Sequence, residues 1–166
     1  MRTLRFSILF SGLFLLLAAC SPTKKTTKPG EMPTGSQSQL RQKVITSARQ
    51  QIGTTYKYAG KTPKTGFDCS GFTSFVFGQH NVRISPASSQ QAFEGHPISL
   101  EKVQPADLVF FGEGKKVSHV ALVARRTRDG IICIHSTTSR GVIEENVSQS
   151  TYWKSRILFA RDVLTR

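Results

Sequence analysis

Residues 40–166 predict an α+β domain in which helices come first and an antiparallel sheet follows. Two observations carry this. As far as Phe93 the apolar residues recur at helical spacing, whereas beyond Pro97 they gather in short runs separated by turn residues. The stretch is long enough for one hydrophobic core and too short for two.

Ahead of the domain, Arg2 and Arg5 precede an apolar run from Phe6 to Ala19 that only Ser7, Ser11 and Gly12 interrupt. A membrane-spanning helix needs about 20 apolar residues, so residues 1–19 predict a signal peptide. Leu17-Ala18-Ala19-Cys20 resembles the bacterial lipobox, which implies lipidation of Cys20 and attachment to the bilayer. With Ser21 rather than aspartate next, the pattern resembles outer-membrane lipoproteins facing the periplasm. Ser21 to Gln39 contains no aromatic residue and no Val, Ile or Leu. Residues 20–39 therefore predict a flexible tether, whose Lys24, Lys25 and Lys28 could add attraction to acidic head groups.

Within the domain, Leu40, Val44, Ile45, Ala48 and Ile52 mark an amphipathic helix that stops at Gly53. A loop from Thr54 to Phe67 carries Tyr56 and Tyr58. A second helix opens at Cys69, turns Phe72, Phe75 and Val76 to one side, and ends near Gly78. Ser88 to Phe93 predicts a short third helix. Strands are expected over 107–111, 117–125, 130–135, 142–145 and 156–163.

The chemistry starts at Cys69. Asp68 before it can accept the free N–H groups of the first helical turn, and the positive helix end favours a thiolate there. Gly71 admits close approach of another backbone. Two later strands carry His119 and His135. In a strand, residues 119, 121 and 123 share a face, which sets an imidazole among small residues. A cysteine hydrolase uses one histidine as base and acid and a third polar group to orient it; Cys69, His119 and His135 fill those roles in that order. The same residue types bind zinc, but the close paired spacing of zinc sites is missing, so neither metal nor cofactor is expected. His80 and His96 read as surface residues. Cys133 lies in the apolar run Ile131–Ile134, where cysteine behaves as a small buried hydrophobe; a Cys69–Cys133 disulfide is the competing reading in an oxidising compartment.

The chain carries 23 Lys and Arg against 10 Asp and Glu, and residues 40–166 keep 18 against 9. Such a domain is drawn to an anionic polymer. No nucleic-acid motif is present, and peptidoglycan, with free carboxylates along its stem peptides, fits the compartment better.

Six segments occur in one family's order: Tyr56-Lys57-Tyr58-Ala59-Gly60, Asp68-Cys69-Ser70-Gly71-Phe72, Arg83-Ile84-Ser85-Pro86-Ala87-Ser88-Ser89-Gln90, Pro105-Ala106-Asp107-Leu108-Val109-Phe110-Phe111, Ser118-His119-Val120 and Ile134-His135. From about Leu40 to Leu164 the chain resembles the NlpC-type cell-wall cysteine peptidases. The resemblance implies a papain-like fold and hydrolysis of amide bonds in peptidoglycan stem peptides. It implies Cys69 as nucleophile, His119 as base and acid, and His135 as the group orienting His119. It also implies Tyr56 beside the thiol, its hydroxyl stabilising the oxyanion, with Ser70, Arg83 and Ser85 lining the cleft. A monomer is expected. A non-catalytic wall-binding lipoprotein, or another acyl transfer on the same fold, remains the alternative. Two alanines stand where the family carries glycine, in Ala59-Gly60 and Pro105-Ala106-Asp107. They are expected to sit at negative φ.

Overall fold

The computed structural model describes residues 35–165. The signal peptide expected over 1–19, the lipidation expected at Cys20 and the tether as far as residue 34 lie outside the described residues. Helix α1 spans Gly35–Arg49, so residues 35–39, assigned by composition to the tether, are helical. Tertiary contact supplies the reason, because the side-chain amide of Gln37 donates to Thr165 Oγ1 at 3.2 Å. No helix among the described residues is long and apolar enough to cross a membrane.

A two-strand hairpin follows, β1 (Lys61–Thr62) and β2 (Gly66–Phe67), inside the segment read as loop. Strands this short leave no alternation to detect. Helices α2 (Cys69–Gly78) and α3 (Ser88–Gln91) come next, then β3 (His96–Ile98), β4 (Leu108–Glu113), β5 (Lys116–Thr127), β6 (Gly130–Thr137), β7 (Gly141–Asn146), a 3-10 turn at Lys154–Arg156, and β8 (Ile157–Asp162). The last five strands coincide with the expected ones, and β3, which carries the exposed His96, is an addition at the sheet edge. All pairings in the six-stranded sheet are antiparallel, in the order β3-β8-β4-β5-β6-β7.

Period-two alternation sorts the sheet into two apolar faces. Leu108, Phe110, Val120, Leu122, Ile134 and Val142 pack with Val44, Ile45 and Ala48 of α1 and Phe72, Val76 and Phe77 of α2. Val109, Phe111, Ala121, Val123, Ile131 and Cys133 form a second cluster with Val103, Val147 and Trp153.

Helix α1 is also tied to the sheet by a buried charge cluster. Arg41, 3% exposed, donates to Pro105 O at 2.8 Å, to Asp107 Oδ1 at 2.7 Å and to Asp162 Oδ2 at 2.6 Å. Asp162 lies at the end of β8 and Asp107 just before β4.

The two alanines depart from expectation. Ala59 has φ 56° and Ala106 φ 69°, in the left-handed region where a Cβ costs roughly 1–2 kcal/mol. Ala106 is held there by its N–H, which donates to Val123 O at 2.8 Å. Ala59 is exposed, so Ala59→Gly is expected to raise the urea midpoint by a stability gain of about 0.5–1 kcal/mol once the looser unfolded chain is counted. At the fully buried Ala106 the lost methyl burial, about 0.8 kcal/mol, offsets most of that relief. Equal gains at both positions would contradict this account.

Candidate active site

Cys69 is the first residue of α2, and Asp68 caps it in extended conformation (φ −85°, ψ 178°). Asp68 Oδ1 accepts the Gly71 N–H at 2.6 Å and the Ser70 hydroxyl at 3.1 Å. Gly71 meets the expected close approach: a Cβ there would run into the carbonyl oxygen of Gly60. The Asp68 N–H donates to that same carbonyl at 3.0 Å, which seats the Tyr56–Gly60 loop against the start of α2.

The sheet opens to receive this turn. The β5–β6 ladder runs from Thr127–Gly130 only as far as Leu122–Ile134, although β5 begins at Lys116 and β6 ends at Thr137. Between the parted ends, Ser136 Oγ donates to Phe67 O at 2.8 Å. Alternation along β5 sends the Val123 N–H to Asp107 O on the β4 side, so the Val120 N–H points the other way, toward the Cys69 side, where it lowers the thiol pKa. The thiol therefore lies at the base of a cleft of about 940 Å³, bordered among others by Tyr56, His119, Thr137, Arg140, Trp153 and Arg156.

The electrostatics differ from expectation at Cys69. Burial pushes the thiol pKa above its ordinary value, and the charge of Asp68 adds to the rise, against N–H groups of Val120, Ser70 and Cys69 that lower it. Burial first, and then the carboxylate that caps the helix, thus offset the helix end that was expected to favour thiolate. His119 is held well below the ordinary imidazole value by burial and by neighbouring His135. His135 is lowered by burial and by Arg140, against a carboxylate that raises it. Burial thus favours the uncharged form of both groups, a thiol at Cys69 and a neutral imidazole at His119.

His119 Nε2 lies 2.8 Å from His135 Nδ1. His135 is fully buried, and its Nε2 lies 2.9 Å from Glu145 Oε1. The same carboxylate oxygen accepts Arg140 Nη2–H at 2.8 Å and Trp153 Nε1–H at 3.0 Å. Burial works against the charge on Glu145, but the bonds from Arg140 and His135 outweigh it and hold its pKa below the ordinary range. Trp153 also stacks on His119, with ring centroids 4.4 Å apart and 24° between planes.

Sequence reasoning missed Glu145, Arg140 and Trp153. A signal for Glu145 existed: Gly141 at φ 62° closes a short turn with Thr137 opposite, and counting along that register sets Glu145 opposite Cys133, diagonal to His135. Of the other residues singled out, Tyr56 borders the cleft, and its phenol is kept protonated by burial and the nearby Cys69 and Asp68. Ser70, Arg83 and Ser85 are not among the residues that border it. Ser70 is buried and turned to Asp68. Ser85 is engaged by its own turn, its hydroxyl donating to Gln90 Oε1 at 2.6 Å and its N–H to Glu94 Oε1 at 2.8 Å, while Arg83 is exposed. Cys133 is fully buried and both Cys69 and Cys133 are free thiols, so the disulfide reading is set aside.

The sequence profile of the NlpC/P60 family matches residues 53–162, more than half of the chain. The chain belongs to the NlpC/P60 family. This NlpC/P60 domain is 34% identical, over 124 residues, to a gamma-DL-glutamyl hydrolase of Bacillus subtilis, covering 72% of the chain and 29% of that protein. It is 28% identical over 172 residues to the murein DD-endopeptidase MepS/murein LD-carboxypeptidase of Escherichia coli strain K12, covering 92% and 88%. Among solved structures, an NlpC/P60 family protein of Bacillus cereus superposes with a TM-score of 0.68 at 30% identity, over 75% of the chain and 40% of that protein. The chain thus spans less than a third of the Bacillus subtilis relative. The expected α+β, papain-like fold is the fold of these NlpC/P60 proteins.

Proposed function

We propose that this protein is a cysteine peptidase that hydrolyses amide bonds in peptidoglycan stem peptides or cross-links. It acts as a monomer, held by lipid on Cys20 at the outer membrane and facing the periplasm. The observation that carries the reading is the thiol of Cys69 in a cleft bordered by His119, whose Nε2 is engaged by His135. Lys116, Arg140 and Arg156 border the same cleft, and their charge suits the carboxylates of stem peptides. The Bacillus subtilis and Escherichia coli relatives are named for hydrolysis of glutamyl and murein bonds, which supports the substrate class.

In this reading His119 takes the thiol proton as the sulfur attacks the scissile carbonyl. The oxyanion is met by the Cys69 N–H and the protonated Tyr56 hydroxyl. His119 then passes its proton to the leaving amine, and water hydrolyses the thioester. His119→Ala is expected to lower kcat by about 10³-fold or more, since base and acid are lost together. His135→Asn keeps an acceptor for His119 Nε2 and is expected to cost only about 10–100-fold. Equal losses in the two variants would contradict the division of roles.

The deciding experiment is incubation of the purified protein with muropeptides, followed by mass spectrometry for new amine termini. Wild-type protein that binds peptidoglycan but releases none would replace this reading with a wall-binding one. Membrane fractionation of Cys20→Ala tests the anchor, and a variant that stays membrane-bound would remove it.

A further inference from the structure

We propose that Glu145 is a positioning residue that fixes, through His135, which nitrogen of His119 is free to take the thiol proton. The inference rests on the reading of His119 as general base. It follows from the direction each hydrogen bond must have. An ionised carboxylate only accepts, so the contact between Glu145 Oε1 and His135 Nε2, 2.9 Å, assigns the proton of His135 to Nε2. In neutral His135 the other nitrogen, Nδ1, then has only a lone pair to offer. It lies 2.8 Å from His119 Nε2, which must therefore carry the proton of His119. Nδ1 of His119, the nitrogen that His135 does not engage, is left bare, the form a base needs in a ring that borders the same cleft as Cys69.

Reversing the first step reverses the whole chain. If His135 carried its proton on Nδ1, it would donate to His119 Nε2. The His119 proton would then sit on Nδ1, and the ring would have no free nitrogen with which to accept the thiol proton. Nothing about His119 and His135 alone selects between the two arrangements, so the acceptor at Nε2 of His135 decides.

Glu145 is built for that task. It projects from β7 beside His135 of β6, and its Oε1 is held from two further directions, by Arg140 at 2.8 Å and by the indole N–H of Trp153 at 3.0 Å. Both partners are donors, so both favour an acceptor at this position. Trp153 in turn stacks on the His119 ring, so one side chain fixes the carboxylate and the imidazole at the far end of the relay.

The test compares Glu145→Ala, which removes the acceptor, with Glu145→Gln, whose amide oxygen can still accept from His135 Nε2–H. Glu145→Ala is expected to lower kcat about 10–100-fold with KM within about twofold, as for other outer-shell partners of a working imidazole, and Glu145→Gln to recover most of the loss. Nitrogen-15 NMR of the imidazole rings should show His119 and His135 protonated at Nε2 in the wild type and in Glu145→Gln, and a mixture in Glu145→Ala. Alkylation of Cys69 by iodoacetamide at neutral pH should slow in Glu145→Ala and recover in Glu145→Gln. These last two readouts need no peptidoglycan, so a protein that cuts no muropeptide yet behaves this way would lose the proposed function and keep the relay. Wild-type His119 protonated at Nδ1, unchanged tautomers and kcat in Glu145→Ala, or equal impairment of the two variants would each overturn the proposal. The wild-type spectrum stands even if Glu145→Ala fails to fold.

Discussion

Cys69→Ala is expected to abolish muropeptide cleavage and leave the fold in place. The loss in kcat should be at least about 10⁴-fold, the scale seen when a covalent nucleophile is removed from an intact site. The fold should survive because what places Cys69 is not its sulfur. Asp68 caps α2 through the Gly71 N–H, Phe67 is held by Ser136, and Phe72, Val76 and Phe77 anchor the helix in the core. Alanine is a better helix former than cysteine, so the change in stability should stay within about 1 kcal/mol. Calorimetry and a muropeptide digest on the same preparation check both halves. A folded variant that still releases new amine termini would remove the mechanism.

Arg41→Ala is expected to give the largest loss of stability, about 3–5 kcal/mol near pH 7, because removing one partner leaves two buried carboxylates without their counter-charge. Its pH dependence distinguishes it from an ordinary cavity mutation. Burial, working against Arg41, raises Asp107 to about 6. A carboxyl whose folded pKa is raised contributes stability at low pH that is lost as pH rises through the folded value. Asp162 has the opposite sign. Burial works against its charge, but the Thr165 hydroxyl, Arg41 and the Leu164 and Thr165 N–H groups hold its pKa below the ordinary value, so its contribution is present at neutral pH and lost in acid. Without Arg41, Asp107 shifts further up and carries a proton over more of the range. The deficit of Arg41→Ala should therefore shrink from pH 8 to pH 5 in urea titrations. A deficit that is flat with pH would assign the loss to packing alone.

Arg41 could not be picked out from the chain, and Glu145 only by counting along the β6–β7 register. Arg41 is a charged residue in an ordinary amphipathic pattern whose partner Asp162 lies far away in sequence, whereas Glu145 meets His135 and Trp153 across and beyond a hairpin whose register must be known first. Cys69 was legible because its setting is local: a cap, a helix start and a small residue where a loop must approach. His119 and His135 were legible because each interrupts an apolar strand. The main strands were readable from their apolar runs, whereas β1, β2 and β3 are too short to carry a period and exist because neighbours pair with them. The conformations of Ala59 and Ala106 were misjudged because alanine is permitted at negative φ, and only the loops' anchors force the positive values. The thiol's raised pKa comes first from burial, which depends on the packing around Cys69, and then from the charge of Asp68, the residue that signals the helix start.

The chain contains a single tryptophan, and it lies flat against the imidazole that the proposed mechanism protonates and deprotonates in each cycle. An imidazolium quenches indole emission where a neutral ring does not, so the intrinsic fluorescence of Trp153 reports a charge arriving on the His119–His135 pair that it touches. The protein carries its own optical probe of the acid–base step, with no label introduced and no second tryptophan to blur the signal.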